Sequence, residues 1–383
     1  MTGLSGVLSY LYQGKFKILL SAEGKNYVTT AIVTGMNICI NVSKAVLLVL
    51  GFDVVAVQIS YFLFNVVQTL IYSVYIKRHY PWLDLKVEPN YDAISQKNAV
   101  LVHQISSLIF SNTDVLVLSV FASLKEVSVY SLYVLIYGLV SSIGETVYES
   151  YRYAIGQSYH SDQGRFTHLF NTYEVFVFVF SFALFTVTRT LINPFLTLYT
   201  AGVYDITYTD KYLPWLFAAY YIMNNGRTSS NMVINIAERF EDTKWRSAFE
   251  SVINVVVSLL AVQWLGIYGV LIGTIAALLY RTNDMIIYAS HILERTPLVT
   301  YKRWIVNIIG FVVISLIFSR FTFDAGDYFQ LAGYGVILTV SSFAFYLILN
   351  YLTDRQYVTY GITTACRTLK NALHSFKSRA GAH

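Results

Sequence analysis

Long apolar runs, separated by short polar segments, occupy almost the whole chain. Most runs hold roughly 17–25 residues, the length that an α-helix needs to cross the hydrocarbon core of a bilayer. The pattern therefore predicts an all-α integral membrane protein with about ten transmembrane helices. The predicted spans are Tyr27–Leu50, Val54–Ile76, Asn98–Phe121, Val127–Glu149, Phe170–Ile192, Tyr212–Ala237, Phe249–Leu265, Tyr268–Ala289, Trp304–Phe321 and Gln330–Tyr351.

Two stretches of the chain, around the first two spans and around the seventh and eighth, resemble each other. Both carry Ala-Glu before a span, Ile-Asn-Val inside it and a glycine at the turn into the next span. These features are Ala22-Glu23, Ile40–Val42 and Gly51 in the first stretch, and Ala237-Glu238, Ile253–Val255 and Gly266 in the second. Their common order predicts an internal duplication with two like-oriented halves.

The duplication predicts three segments of unequal content. Residues 1–97 would be the remnant of an N-lobe, with two spans and a cytoplasmic linker. Residues 98–289 would be a C-lobe of six spans, and residues 290–383 would add two spans and a basic cytoplasmic tail. The first copy of the repeat would then lack its first four helices.

The composition agrees with this pattern. Hydrophobic residues make up 55% of the chain and charged residues only 13%, whereas a soluble domain carries about 25% charged residues. A water-soluble enzyme is thereby excluded, and no nucleic-acid partner is expected. The two cysteines, Cys39 and Cys366, suggest neither a disulfide framework nor a metal site. The chain has no G-x-x-x-x-G-K-[ST] loop for ATP hydrolysis, and no cofactor is predicted.

The distribution of lysine and arginine predicts the orientation. With the N-terminus in the cytoplasm, the inside segments hold 20 of the 27 basic residues and the outside loops hold 3. Positive residues concentrate on the cytoplasmic side of membrane proteins. We therefore expect a multi-pass protein of the cell membrane with both termini in the cytoplasm.

Charged side chains inside the spans are the candidate functional residues, because a charge at the bilayer centre costs about 2.5–3.5 kcal/mol on insertion scales. Arg227 lies in the polar run Asn224–Asn231. We interpret this run as the interruption of one span, with Arg227 facing a wet cavity; the alternative is a loop that joins two short helices. Arg281 and Asp284, spaced i, i+3, are expected to pair, either structurally or within a site.

Asp114 is the most unusual of these residues, since it lies in an otherwise apolar run. Its polar neighbours Ser111–Thr113 predict a face that points inward. The expected partners of Asp114 are cations on other helices, with Arg281 or Arg227 first. The pairing would be structural, or Asp114 would have a direct role in transport.

Four further polar residues lie inside the predicted spans or at their ends: Lys44, Glu145, His103 and Arg189. Lys44 either snorkels to the interface or binds substrate. Glu145 is a candidate for a coupling or charge-pair role. His103 is expected to be a hydrogen-bonded packing residue, with proton transfer as the alternative. Arg189, at a helix end, is expected to snorkel.

Three stretches of the sequence carry a family resemblance: LLSAEGKNYV at Leu19–Val28, NTDVLVLSVFASLKEVSVYSLY at Asn112–Tyr133, and PFLTLYTAGVYDITY at Pro194–Tyr208. With these stretches the chain resembles the polysaccharide repeat-unit flippases (Wzx-type, polysaccharide transporter family) of the multidrug/oligosaccharidyl-lipid/polysaccharide exporter superfamily. Members usually have more spans than are predicted here. The resemblance therefore implies a two-lobe exporter fold with a truncated N-lobe.

The resemblance also implies a function. The substrate would be an undecaprenyl-pyrophosphate-linked oligosaccharide, moved across the cytoplasmic membrane for capsule, exopolysaccharide or O-antigen synthesis. Arg227, Arg281 and Lys44 would suit a pyrophosphate in a low-dielectric cavity. A polysaccharide polymerase and glycosyltransferases would be partners. A multidrug or lipid II exporter of the same superfamily, or an inactive truncated membrane protein, are the alternatives.

Overall fold

The computed structural model describes residues 6–83 and 95–380. Side chains after residue 367 are not described, so the predicted basic tail lies outside the described side chains. Throughout these ranges the regular secondary structure is helical. The chain divides into two compact units, Met1–Tyr91 and Asp92–His383, and each is considered by itself.

The N-terminal unit is a helical hairpin preceded by a short helix. A π-helical turn at Ser9–Gln13 leads into α1 (Gly14–Ala22), which is followed by α2 (Asn26–Val49) and α3 (Val54–His79). Gly51 joins α2 to α3 with a φ of +80°, a left-handed conformation that glycine adopts without steric cost. Asp53 caps α3, because its carboxylate accepts a hydrogen bond from the Ala56 amide at 3.0 Å.

The C-terminal unit is a bundle in which the described residues form ten helices. These helices are α4 (Lys97–Phe121), α5 (Leu124–Ser161), α6 (Gln163–Tyr199), α7 (Leu213–Gly226), α8 (Thr228–Ile236), α9 (Phe240–Leu265), α10 (Ile267–Ile292), α11 (Leu298–Phe318), α12 (Tyr328–Thr353) and α13 (Arg355–Ala380). Aromatic side chains of α5, α6 and α7 stack in its core, where Tyr137 lies 5.7 Å from Phe217 and 6.1 Å from Phe185 between ring centroids.

Nine of the described helices, α2–α6 and α9–α12, are long and apolar enough to cross a membrane. They correspond to nine of the ten predicted spans, and the predicted all-α membrane fold is confirmed. The remaining span, Tyr212–Ala237, is divided between α7 and α8. The division falls at Arg227, as expected for an interrupted span.

The α9–α10 hairpin is packed unusually closely. It turns at Gly266, whose φ is +52°, so both glycines of the predicted repeat, Gly51 and Gly266, occupy turns with positive φ. A Cβ atom at Gly273 would lie 2.9 Å from the Cα of Ser258, and one at Gly269 would lie 2.7 Å from the amide nitrogen of Val262. Small residues spaced four apart let two membrane helices approach to backbone contact. The hairpin therefore holds its side chains in a fixed register.

Candidate functional site

A cluster of charged side chains forms where the α7–α8 break meets the α9–α10 hairpin. Arg227 comes from the break, Glu250 and Arg246 from α9, and Arg281 and Asp284 from α10. The structure thus brings together three of the predicted site residues, Arg227, Arg281 and Asp284.

Glu250 lies at the centre of the cluster. One carboxylate oxygen pairs with Arg227, and the other lies 3.7 Å from the Nε atom of Arg281. Arg281 also pairs with Asp284, which confirms the predicted i, i+3 contact. Asp284 in turn lies 2.7 Å from an Nη atom of Arg246. The five side chains are therefore one connected network and not separate ion pairs.

The cluster carries more positive than negative charge, since three arginines face two carboxylates. Its centre is dry: only 1% of the Arg281 side chain is exposed. Its edges are more open, with 16% of Arg227 and 39% of Arg246 exposed. A surplus cation in a low-dielectric setting attracts an anion far more strongly than it would in water. The arrangement is suited to bind an anionic group that approaches from the edge.

Local sequence explains why the helix breaks at Arg227. The guanidinium of Arg227 donates to the side chain of Asn224 at 3.0 Å, and Asn225 donates to Ser141 on α5 at 2.9 Å. These polar side chains anchor the end of α7 from two sides. Gly226 lies against the ring of Trp304, where a Cβ would be 2.6 Å from the ring. The break is thus built by asparagine anchoring and by a close approach that only glycine allows.

Asp114 lies inward on α4, as predicted, but its partners were predicted wrongly. Its carboxylate accepts hydrogen bonds from Tyr130 at 2.6 Å, from Thr274 at 2.7 and 2.9 Å, and from Asn254 at 3.4 Å. All three donors are neutral. Within the described residues no cation lies within 4.0 Å of Asp114. The arginines of the interior pair instead with Glu250 and Asp284, which are closer to them.

Two other predicted residues of the C-terminal unit, Glu145 and His103, have contacts of their own outside the cluster. In the N-terminal unit, the Nζ atom of Lys44 is 5.1 Å from the ring centroid of Tyr61. Glu145 is exposed and accepts a hydrogen bond from Ser141 at 3.2 Å. His103 contacts Ser247 on α9 at 2.8 Å, as expected for a hydrogen-bonded packing histidine.

A second charge cluster, which was not predicted, joins α6 to α11. Glu174 pairs with Arg303 and, at 2.9 Å, with Arg295. Arg303 also lies 2.9 Å from Asp354 at the end of α12. The side chains of Glu174 and Arg303 have no exposed surface, and Thr300 donates to Glu174 at 2.9 Å. Two arginines face two carboxylates here, so the charges balance.

Glu250 and Glu174 were missed for the same physical reason. Each lies near the start of a predicted span, Phe249–Leu265 or Phe170–Ile192, where a carboxylate would sit at the membrane interface. The helices begin earlier, at Phe240 and Gln163, so both residues lie about three turns inside their helices. A search for glutamates that share a helix face with buried serine and asparagine, such as Glu250 and Asn254, could have found the first one.

Comparisons with known proteins found a similar fold but no family. No protein-family model matches the chain, and no curated protein matches it. A solved structure described as lipid II flippase MurJ in the inward closed conformation is similar over 93% of this chain and 74% of that chain, with a TM-score of 0.62 and 15% sequence identity. The chain thus shares the fold of that flippase structure, in agreement with the predicted all-α exporter fold, and the truncation of the N-lobe stays a prediction.

Proposed function

We propose that this chain is a flippase that moves a lipid-linked, diphosphate-bearing substrate across the membrane. The observation that carries the proposal is the surplus of arginine in the cluster around Glu250. Guanidinium groups bind phosphate oxygens in pairs, and their hydrogen bonds to an anion are about twice as strong as neutral ones. Arg227 and Arg281 would hold the diphosphate, and Glu250 would release them to it.

The favoured substrate is an undecaprenyl-pyrophosphate-linked oligosaccharide repeat unit for capsule, exopolysaccharide or O-antigen synthesis, as the family resemblance implies. Lipid II is the second candidate, and the likeness to the MurJ structure supports it. Both are glycans on a polyprenyl diphosphate, so one cationic cluster would serve either. A cationic drug fits less well, because it would favour a site dominated by carboxylates.

Further features of the proposal come from the sequence and from the family resemblance. The distribution of basic residues supports a cytoplasmic position for both termini. In the N-terminal unit, Lys44 stays a candidate substrate-binding residue. Asp114, Glu145 and Asp284 are the candidates for coupling or charge pairing, and a polysaccharide polymerase and glycosyltransferases are the candidate partners.

The test is transbilayer movement in proteoliposomes that contain the full chain. A fluorescent polyprenyl-diphosphate oligosaccharide and fluorescent lipid II would be assayed side by side. We expect one of them to move faster than in empty liposomes, and Arg227→Gln to slow it roughly tenfold or more. Arg152→Gln, which removes an exposed ion pair with Glu149, is the matched control. A folded wild-type chain that moves neither substrate would overturn the proposal and support the inactive protein.

A further inference from the structure

A cationic cavity lies where the C-terminal end of α6 meets the start of α7 and the end of α11. Its volume is about 170 Å³. Drug-sized ligands occupy pockets of about 300–1,000 Å³, so this cavity is too small for a whole glycolipid and matches a single head group. Its lining includes Arg189, Lys211, Asn193, Trp215 and Phe318.

Arg189 dominates the chemistry of this cavity. The carbon of its guanidinium lies 3.7 Å from the ring centroid of Trp215, so the cation is stacked on the indole. One Nη atom donates to the carbonyl of Ser315 at 3.3 Å. A guanidinium has five N–H donors. Among the described residues, the Ser315 carbonyl is the acceptor for one of them. The group is fixed in place and keeps donors for a ligand.

No carboxylate balances this cavity among the described residues. The lining contains two cations and no acid, and no carboxylate lies within 4.0 Å of Arg189 or Lys211 in the described part of the chain. Asp210 is adjacent in sequence, but its carboxylate accepts from the amides of Tyr212 and Leu213 and from the hydroxyl of Tyr268. Asp210 therefore holds the start of α7, and its carboxylate does not line the cavity.

The cavity and the Glu250 cluster lie at two levels along one helix. Trp215 is at the start of α7 and Arg227 follows its end, and a rise of 1.5 Å per residue puts them roughly 18 Å apart. Each level presents a surplus of positive charge. The bundle therefore offers cations to an anionic group at two levels.

We infer that the Arg189–Lys211 cavity is a second anion site, which binds the phosphate or diphosphate head group of a lipid. The source would be the transported lipid itself or a phospholipid of the bilayer, since both offer the same oxygen acceptors. Binding at this cavity does not depend on transport; only a position on the transport path rests on the proposed function.

The experiment measures binding to the purified full-length chain by isothermal titration. The probes are geranyl pyrophosphate, inorganic pyrophosphate, and nanodiscs of phosphatidylglycerol compared with phosphatidylcholine. All titrations use the Arg227→Gln variant as the parent protein, because this change weakens anion binding at the Glu250 cluster. In this background we expect the Arg189→Gln/Lys211→Gln pair to weaken geranyl pyrophosphate binding roughly tenfold or more. Lys125→Gln, a lysine that donates to the carbonyl of Asp205 at 2.7 Å, should leave it unchanged.

The probes distinguish the transported lipid from a bilayer phospholipid as the ligand. They also show which of the two proposals a negative result contradicts. Competition by phosphatidylglycerol alone would assign the cavity to bilayer lipid, and preference for the isoprenoid diphosphate would assign it to the transported lipid; both support the site. Arg189→Lys keeps the charge and the fold but loses the planar donor fork, so it should bind with intermediate affinity. Unchanged binding of every probe in the folded double variant would overturn the inference. Loss of transport with intact cavity binding would count only against the proposed function.

Discussion

Two buried charge clusters, built from the same residue types, differ in balance and in access. The Glu174 cluster has two arginines and two carboxylates, and its central pair, Glu174 and Arg303, has no exposed surface. The Glu250 cluster has three arginines for two carboxylates and is open at Arg246, 39% of whose side chain is exposed. A balanced, sealed cluster is suited to join helices. An unbalanced cluster with an open edge has unused binding capacity, and this difference is the basis for assigning function to one of them.

The largest effect is expected from Glu174→Gln. This change leaves Arg295 and Arg303 without their shared carboxylate, and breaking a buried ion pair in this way costs about 3–5 kcal/mol. Unfolding in detergent, followed by circular dichroism, should show a correspondingly lower midpoint. Glu149→Gln removes an exposed pair with Arg152, which contributes about 0–1 kcal/mol, and is the control. Equal stability of the two variants would contradict a structural role for the sealed cluster.

The second-largest effect is expected from Arg281→Gln. This change should lower the transport rate more than it lowers the free energy of unfolding. Glu250 keeps its pair with Arg227, and Asp284 keeps its pair with Arg246, so neither carboxylate is left alone. Transport per folded molecule should fall roughly tenfold or more. Arg281→Lys keeps the charge and should retain part of the activity. If Arg281→Gln unfolds like Glu174→Gln but transports normally when folded, the two clusters do not differ as proposed.

Asp114→Asn should have a smaller effect. Its neutral partners Tyr130 and Thr274 can still donate to the remaining amide oxygen, so membrane insertion and folding should be preserved. Transport should weaken, because the group of neutral donors around Asp114 loses the negative charge that it surrounds. Reconstituted flipping rates, with expression checked by gel filtration, measure both quantities. Wild-type transport by this variant would leave Asp114 with a packing role alone.

The smallest effect concerns acid stability at Asp210, which lies in the loop before α7. Burial by itself raises the pKa of this carboxyl, but hydrogen bonds from Tyr268 and from the amides of Leu213 and Tyr212 outweigh it and lower the pKa below the ordinary 3.8. The stabilisation is therefore complete above pH 3.8 and is lost as the pH falls through the lower folded value. Thermal unfolding between pH 3 and pH 5 measures how far the midpoint temperature falls as the solution becomes more acidic. Asp210→Asn should make this fall smaller, and an unchanged fall would exclude Asp210 as its origin.

Much of the fold could be predicted from the sequence, because apolar length alone determines which segments cross a membrane. The break at Arg227 was equally visible, since seven polar residues and a glycine interrupt an apolar run at Asn224–Asn231. The pairing of Arg281 with Asp284 followed from helix geometry. These features depend on local sequence.

The partners of the buried charges could not be predicted in the same way. Asp114 was expected to pair with Arg281 or Arg227, but both arginines contact Glu250. Glu250 itself lay at the start of the predicted span Phe249–Leu265. Which acid meets which base depends on how α4, α9 and α10 rotate against one another, and small residues such as Gly273 set that rotation. Periodicity places a residue on a face of its helix but does not identify the residue it faces.

The α9–α10 hairpin has a consequence for the proposed coupling role of Asp114. It carries Glu250 and Arg281 of the charge cluster and also Asn254 and Thr274, which hold Asp114. Glu250 and Asn254 are one turn apart, about 6 Å along α9. Since the glycines hold the two helices together, an ion that bound at Asp114 and shifted the hairpin would also shift the arginine cluster. Such a linkage would be reciprocal: the factor by which the ion changed the affinity for the anion would equal the factor by which the anion changed the affinity for the ion.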